Sequence, residues 1–180
     1  MRSNKQPPSI DTSKIRQATF EDIISLARVH VDSWWETYKN IVSESYLYSL
    51  KYSDGAQKWA RFIPRKEKKS GTLVITGNDG DVIGFCDYGP AREHEHGIEC
   101  EVYALYLLRK YHRQGIGQAL FNSVKSEFKR LGVKSFYVCV LTANPFRDFY
   151  FKLGGEFIKS QQIDVGDRVL QEDLIYFELG

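Results

Sequence analysis

A chain of 180 residues is about the size of one ordinary domain, and a composition of 42% hydrophobic, 27% charged and 14% aromatic residues excludes disordered and fibrous classes. A formal net charge of +2 is too small for a protein that tracks phosphates, so no nucleic-acid partner is expected. The opening stretch MRSNKQPPSIDTSK has no apolar core of the kind a secretory signal needs, and nowhere do apolar residues run long enough to span a bilayer; the expectation is a cytoplasmic protein with no membrane partner.

In chain order, residues 1–14, polar and holding Pro7 and Pro8, read as a mobile arm or a tag remnant, and residues 15–180 as a single domain. Thr19 and Asp22 form a capping-box pattern, and Ile23, Leu26, Ala27, His30 and Trp34 follow at helical spacing, which predicts a helix over 20–36. The aromatic stretch holding Tyr38, Tyr46, Leu47, Leu50, Tyr52 and Trp59 predicts short helices, broken near Ser53–Gly55 and ended near Pro64; RKEKK at 65–69 reads as a solvated loop. From Thr72 the period becomes that of strands. TLVITG and DVIGFCDYG, joined by Asn78-Asp79-Gly80, predict a hairpin, and IECEVYALYLL at 98–108 a third strand. Ile116, Leu120, Val124, Phe128 and Leu131 mark a helix over 115–131, closed by Gly132. SFYVCVL at 135–141 is a strand and PFRDFYFKL at 145–153 a short helix stopped by Gly154-Gly155; EFIKSQQI and LIYFEL make a final hairpin. The order is α+β, an α/β domain in which strand 98–108, helix 115–131 and strand 135–141 form a parallel crossover. Cys86, Cys100 and Cys139 lie in apolar runs without a CxxC pair and read as free thiols of a reducing compartment.

The chemistry centres on RKYHRQGIGQAL at 109–120. A helix that begins just after a strand exposes unpartnered N–H groups and the positive end of its dipole. Gly115 and Gly117 clear side chains from that end, and Arg109, Lys110 and Arg113 add positive charge, so the segment is either an anion site or a tight turn. Gln118 and Ala119 after Gly117 rule out a Walker phosphate loop, and Leu120 stands where a dinucleotide fingerprint needs a small residue. EHEH at 93–96 alternates histidine and carboxylate, but two imidazoles are too few to carry a metal hypothesis, so none is expected.

Beyond these letters the sequence resembles the GNAT superfamily of acyl-CoA-dependent N-acetyltransferases. VYALYLLRKYHRQGIGQALF is similar to the family's fourth strand and its Gln/Arg-x-x-Gly-x-Gly/Ala pyrophosphate loop, NPFRDFYFKLGGEF to its following motif, and IRQATFEDI with VHVDSWWETY to the N-terminal helices of many members. The resemblance implies a mixed, mostly antiparallel sheet whose central parallel strand pair is splayed around the cofactor by a bulge, flanked by helices, with acetyl-CoA as cosubstrate. It implies that N–H groups of Arg113, Gln114, Gly115, Ile116, Gly117 and Gln118 hold the pyrophosphate. Main-chain groups of Tyr106, Leu107 and Leu108 pair with the pantetheine arm, and Asn144 contacts the cofactor. Tyr150 matches the family's usual general acid, and the N–H of Leu107 its oxyanion donor. Homodimers are frequent in the family. One departure is His112, which occupies the signature's Gln/Arg position.

The base is not fixed by any family motif. Glu101 alternates with Tyr103, Leu105 and Leu107, so the four are predicted to share one strand face, which makes Glu101 the candidate base and Glu99 its competitor. An alkyl amine, with a pKa of about 10.4, must lose a proton before it attacks. The expected reaction is direct transfer of acetyl to a primary amine of a small molecule or peptide. Its rivals are a ping-pong route through Cys139 and a non-catalytic acyl-CoA-binding sensor or scaffold. Asp32, Glu36, Asp164, Asp167, Glu172 and Asp173 would suit a cationic acceptor.

Overall fold

The structure is a computed structural model that describes residues 10–64, 67–93 and 97–180. The chain enters through β1 (Arg16–Gln17), a strand too short to leave a period in the sequence. Arg16 then grips the carboxylate of Asp22 through two bonds of 2.7 and 2.9 Å. That guanidinium holds the Asp22 carboxyl below the usual range. Asp22 in turn accepts the Thr19 N–H at 2.8 Å and closes the capping box ahead of α1 (Ile23–Tyr38). Ile10 and Ile15 pack against the main core, so the last residues of the expected arm lie on the domain.

Ser43, whose hydroxyl accepts the Tyr46 N–H at 3.3 Å, starts α2 (Glu44–Ser49). The break expected near Ser53–Gly55 falls earlier, at the extended residues Leu50 and Lys51, and α3 (Tyr52–Phe62) runs through the glycine. Gly55 has a packing reason instead. A Cβ there would stand 3.2 Å from the Cβ of Ala27, so its absence lets α3 lie close on α1.

The sheet comprises β2 (Gly71–Thr76), β3 (Val82–Pro90), β4 (Cys100–Leu107), β5 (Ser135–Leu141), β6 (Glu156–Val165) and β7 (Arg168–Glu178), with β1 at one edge. Its order is β1-β2-β3-β4-β5-β7-β6, and β4–β5 is the parallel pair. The crossover between them is α4 (Ile116–Arg130), and α5 (Arg147–Lys152) follows β5. On one face, Ile116, Leu120, Phe121, Val124 and Phe128 of α4 are buried against Ile75, Ile83, Phe136, Val138, Ile175 and Phe177. On the other, Leu26, Ala27 and Val29 of α1 and Trp59 of α3 close over Val74, Val82 and Phe85. Each of the larger aliphatic and phenylalanine side chains contributes about 1.5–3 kcal/mol by leaving water, so both layers are strongly held to the sheet.

One irregularity decides where a site can form. Asp87 lies opposite Ala104 but Tyr88 lies opposite Val102, so Tyr103 is an extra residue, a β-bulge in β4. Before it Cys100 and Val102 face α4; after it Leu105 and Leu107 do, while Ala104 and Tyr106 turn towards α1. The predicted common face of Glu101, Leu105 and Leu107 therefore does not exist, because the bulge inverts the alternation between them. Pairing with β5 covers Cys100–Val102 alone, and past the bulge the two parallel strands part.

Candidate active site

The parted strands open a cavity of about 570 Å³ that reaches both faces of the sheet. Its walls are β4 from Val102 to Leu107, Cys139 and Val140 of β5, the turn into α4, the approach to α5 with one side of that helix, and Ser33, Thr37 and Tyr38 of α1.

At the α4 end the walls are main chain. Arg113 (φ 59°) and Gly115 (φ 77°) are both left-handed, and Gly115 caps the helix. Among the described residues no N–H from Arg113 to Gln118 finds a partner within the chain; the ladder of α4 first closes at Ala119, which donates to the Gly115 carbonyl at 3.0 Å. Six unpaired donors at the positive end of a helix form a cradle for an anion. A Cβ on Gly117 would meet nothing nearer than the Phe149 ring at 3.8 Å, so bare backbone is what this end presents.

His112 works beside this cradle. Its Nε2 lies 2.7 Å from the Leu107 carbonyl, which can only accept, so Nε2 carries the hydrogen. Its ring also stands edge-on to Phe146 at 4.9 Å. The imidazole thus ties the end of β4 to the approach of α5. In β4 itself the Leu108 N–H donates to Ile83 at 3.0 Å, and alternate pairs of an antiparallel ladder are the bonded ones. Tyr106 therefore shares its main-chain groups with Phe85, whereas Leu105 and Leu107 turn theirs to the gap. Of the three residues expected along the pantetheine arm, Leu107 offers a gap-facing N–H, Tyr106 offers its side chain to the wall, and the N–H of Leu108 is spent on β3.

Across the cavity, Asn144 bridges two elements. Its Oδ1 accepts the Phe146 N–H at 2.8 Å at the start of α5, and its Nδ2 donates to the Tyr38 hydroxyl at 2.9 Å on α1. Further along, Arg147 pairs with Asp173, which also accepts from Thr142 (2.9 Å) and Ser160 (2.5 Å). Burial pushes the Asp173 carboxyl up, and these three donors outweigh it to hold the group ionised below the usual range. The network anchors α5 to β6 and β7, and with it Tyr150, whose ring packs edge-on to Phe121 at 5.8 Å. Burial, reinforced by neighbouring Tyr38, drives the Tyr150 phenol well above its ordinary pKa. Burial likewise takes Tyr38 up to about 12 and raises Tyr106. Three neutral phenols converge on the gap.

Glu101 lies elsewhere. It is wholly buried, off the cavity wall, with both oxygens taken by Arg92 (Nε at 3.0 and 3.1 Å, plus a bond from its terminal nitrogen and the main-chain N–H at 3.2 Å) and by the Tyr137 hydroxyl at 3.0 Å. Glu99 is paired with Lys69. Cys139 does stand on the wall, but burial and then the charge of Glu172 push its thiol far up. None of the six acidic residues expected to attract a cation walls the cavity. Asp32 accepts from Tyr52, Glu36 from the Arg109 N–H, Glu172 from Gln161, and Asp173 is enclosed. The stretch His94–His96 lies outside the described residues. Of the aromatic residues Trp34, Trp35, Tyr38 and Trp59, which the resemblance to the family offers as pocket lining, Tyr38 walls the cavity; sequence reasoning missed Ser33 and Thr37, whose signal was a polar stripe one and two turns after His30 on the sheet-facing side of α1.

No helix among the described residues is long and apolar enough to cross a membrane. The model of the acetyltransferase (GNAT) family matches residues 30–154. N-acetyltransferase YuaI of Bacillus subtilis, itself uncharacterised, is 35% identical over 158 residues, 88% of either chain. Spermidine N(1)-acetyltransferase of Thermoplasma acidophilum is 27% identical over 164 residues, 88% of this chain and 96% of that one. In fold, PaiA N-acetyltransferase of the same archaeon, solved with coenzyme A, superposes with a TM-score of 0.73 at 24% identity over 94% of this chain and 99% of its own. YncA of Salmonella typhimurium, solved with acetyl-CoA, gives 0.70 at 17% identity over 92% and 93%. With the bulge, the splayed parallel pair and the cradle at α4 already in place, these likenesses make the chain a member of the GNAT family of N-acetyltransferases.

Proposed function

We propose that the protein transfers the acetyl group of acetyl-CoA to a primary amine of a small molecule or peptide, by direct attack through a tetrahedral intermediate. The observation that carries this reading is a single cavity whose α4 end holds six unpaired N–H groups and whose middle holds the Tyr150 phenol. The N–H groups of 113–118 take the pyrophosphate, and Arg113 adds charge. The gap-facing main chain of Leu107 runs beside the pantetheine arm, its carbonyl already satisfied by His112 and its N–H left for the developing oxyanion. Asn144 acts as the clamp between α1 and α5 at the cofactor's side.

The amine enters from the α1 side. Its lone pair forms the C–N bond, the C–S bond breaks with its electron pair on sulfur, and the sulfur gains one proton while the nitrogen loses one. Tyr150, kept neutral by burial, supplies the proton to sulfur; the same burial raises the basicity of the thiolate, which makes the transfer feasible. Asp148, exposed at the cofactor side, is the one carboxylate on the wall among the described residues, so we assign removal of the amine proton to water rather than to Glu101. Glu101 then serves as support, holding Arg92 and Tyr137 beneath the bulge.

The free thiols, Cys86 and Cys100 buried and Cys139 partly so, fit a reducing compartment, and we assign the protein to the cytoplasm. The decisive assay follows CoA thiol release across a panel of primary amines that includes spermidine, the substrate in the name of one relative. Turnover with at least one amine is expected. Tight acetyl-CoA binding with no thiol released across the panel would favour a sensor or scaffold instead.

A further inference from the structure

Ser33 lies on the sheet-facing side of α1 and is 2% exposed, yet its hydroxyl has no hydrogen-bond partner. A helical serine ordinarily turns its hydroxyl back to the carbonyl four residues earlier. In α4 Ser123 and Ser126 do this, to Ala119 and Asn122, each at 3.0 Å. Ser33 makes no such bond to Val29. A buried hydroxyl without a partner is unfavourable, and such a group in a native fold marks a place where something else supplies the bond. Ser33 walls the cavity, and one turn before it His30 stacks on Tyr106 at 5.3 Å, so this part of α1 lies over β4 just past the bulge. Ser33 therefore stands on the face opposite the phosphate cradle, where the gap opens towards α1, with its hydroxyl just beneath the cavity surface.

We propose that Ser33 Oγ accepts an N–H from the incoming primary amine and holds the nitrogen at the α1 mouth of the gap with its lone pair free for the thioester carbon. This rests on the transferase reading above. A neutral amine has two N–H groups and one lone pair. Attack consumes the lone pair, which leaves an N–H to be held. A carboxylate in that place would favour the ammonium form, which has no lone pair to give; a neutral hydroxyl holds the nitrogen without raising its pKa. The absence of any carboxylate among the described wall residues of the α1 side agrees with this. Tyr38, Tyr103 and Tyr106 wall the same mouth and suit a slender alkyl chain behind the nitrogen. Ser33 is thus an amine-binding residue that favours small primary amines entering uncharged.

The test uses the full-length protein, with spermidine and a panel of small primary amines as probes. Ser33→Ala is expected to raise the amine KM about tenfold, the worth of one hydrogen bond. Acetyl-CoA affinity should stay within about twofold, and the variant should melt at or above the wild-type temperature, because an unpaired buried hydroxyl has been removed. Ser33→Thr, which keeps the hydroxyl, should restore the amine KM to within about threefold of wild type. An active wild type whose amine KM is unmoved by Ser33→Ala, or a variant whose melting temperature falls while KM holds, overturns the inference alone and makes Ser33 a packing residue. A wild type that binds acetyl-CoA but releases no thiol with any amine overturns the transferase reading, and the inference with it.

Discussion

The two ends of the cavity are made of different material. At the α4 end the groups presented to the cavity are main-chain N–H donors at one helix start, set by two left-handed residues. At the α1 end they are side-chain hydroxyls and phenols from α1 and β4, brought together only by packing. A site built from backbone keeps its donors whatever side chain stands there, so His112 in place of the signature's Gln or Arg costs the cradle none of its N–H groups and frees the imidazole to brace Leu107 and Phe146. A site built from side chains changes partner with every substitution. On the reading proposed above, the cofactor end is thus the fixed part of the machine, and the amine end the part that selects.

The most severe break of that contrast is Gly117→Glu. The fold has room for the Cβ, with only the Phe149 ring at 3.8 Å, so the variant should keep its circular dichroism and melting temperature. Its carboxylate, however, would enter the cradle beside the phosphates, and a like-charge contact of several kcal/mol weakens acetyl-CoA binding about a thousandfold. Titration calorimetry that found wild-type affinity would place the pyrophosphate somewhere else. Tyr150 stands between the two ends and should respond in rate rather than affinity. Tyr150→Phe removes the proposed proton donor but keeps the ring on Phe121; kcat is expected to fall about a hundredfold with acetyl-CoA affinity within about twofold. Equal loss in both would mean that the ring, not the hydroxyl, matters.

Glu101 sharpens the comparison from beneath, since it touches neither end. Glu101→Gln weakens the pair with Arg92 and the bond from Tyr137. Arg92 is partly exposed and can turn to water, so the cost is about 1–2 kcal/mol, a melting temperature lower by several degrees. The pH profile of kcat/KM should not move: in both proteins it rises towards the pKa of the amine, about 10.4 for an alkyl chain. A profile that lost an acidic limb in the variant would return Glu101 to the role of base.

How much of this could be read from the letters depends on how local each feature is. The α4 helix, the Gly132 that closes it and the hairpins show as period and glycine placement, because each is decided within a few residues. The bulge does not: Tyr103 looks like one more alternating residue, and its extrusion depends on the register with β3. That one residue carried Glu101 to the other side of the strand and opened the cavity. Gly55 read as a breaker for the same reason, since its use is a contact with Ala27 that local sequence does not contain. Ser33 and Tyr38 were in plain view on α1, but their meaning comes from β4 and from Asn144, far along the chain.

Cys139 offers the smallest expected effect and the cleanest distinction between lining a site and acting in it. It sits on the wall where the thioester would lie, the position a covalent route needs. A nucleophilic cysteine requires a thiolate, favoured by nearby positive charge or a helix start. Here burial comes first, and Glu172 and Glu101 add negative charge, all raising the thiol pKa, with Arg92 the lesser opposing influence. At neutral pH the group is a thiol, and it packs beside Tyr137 and Leu174. Cys139→Ala should therefore keep turnover within about twofold, with initial-rate patterns of a ternary complex and no acetyl retained on the protein after incubation with acetyl-CoA alone, as mass spectrometry would read. An acetylated wild type, or a variant without turnover, would move the chemistry onto the thiol, and then the amine end would have to accept acetyl from sulfur on β5 rather than from a cofactor held at α4.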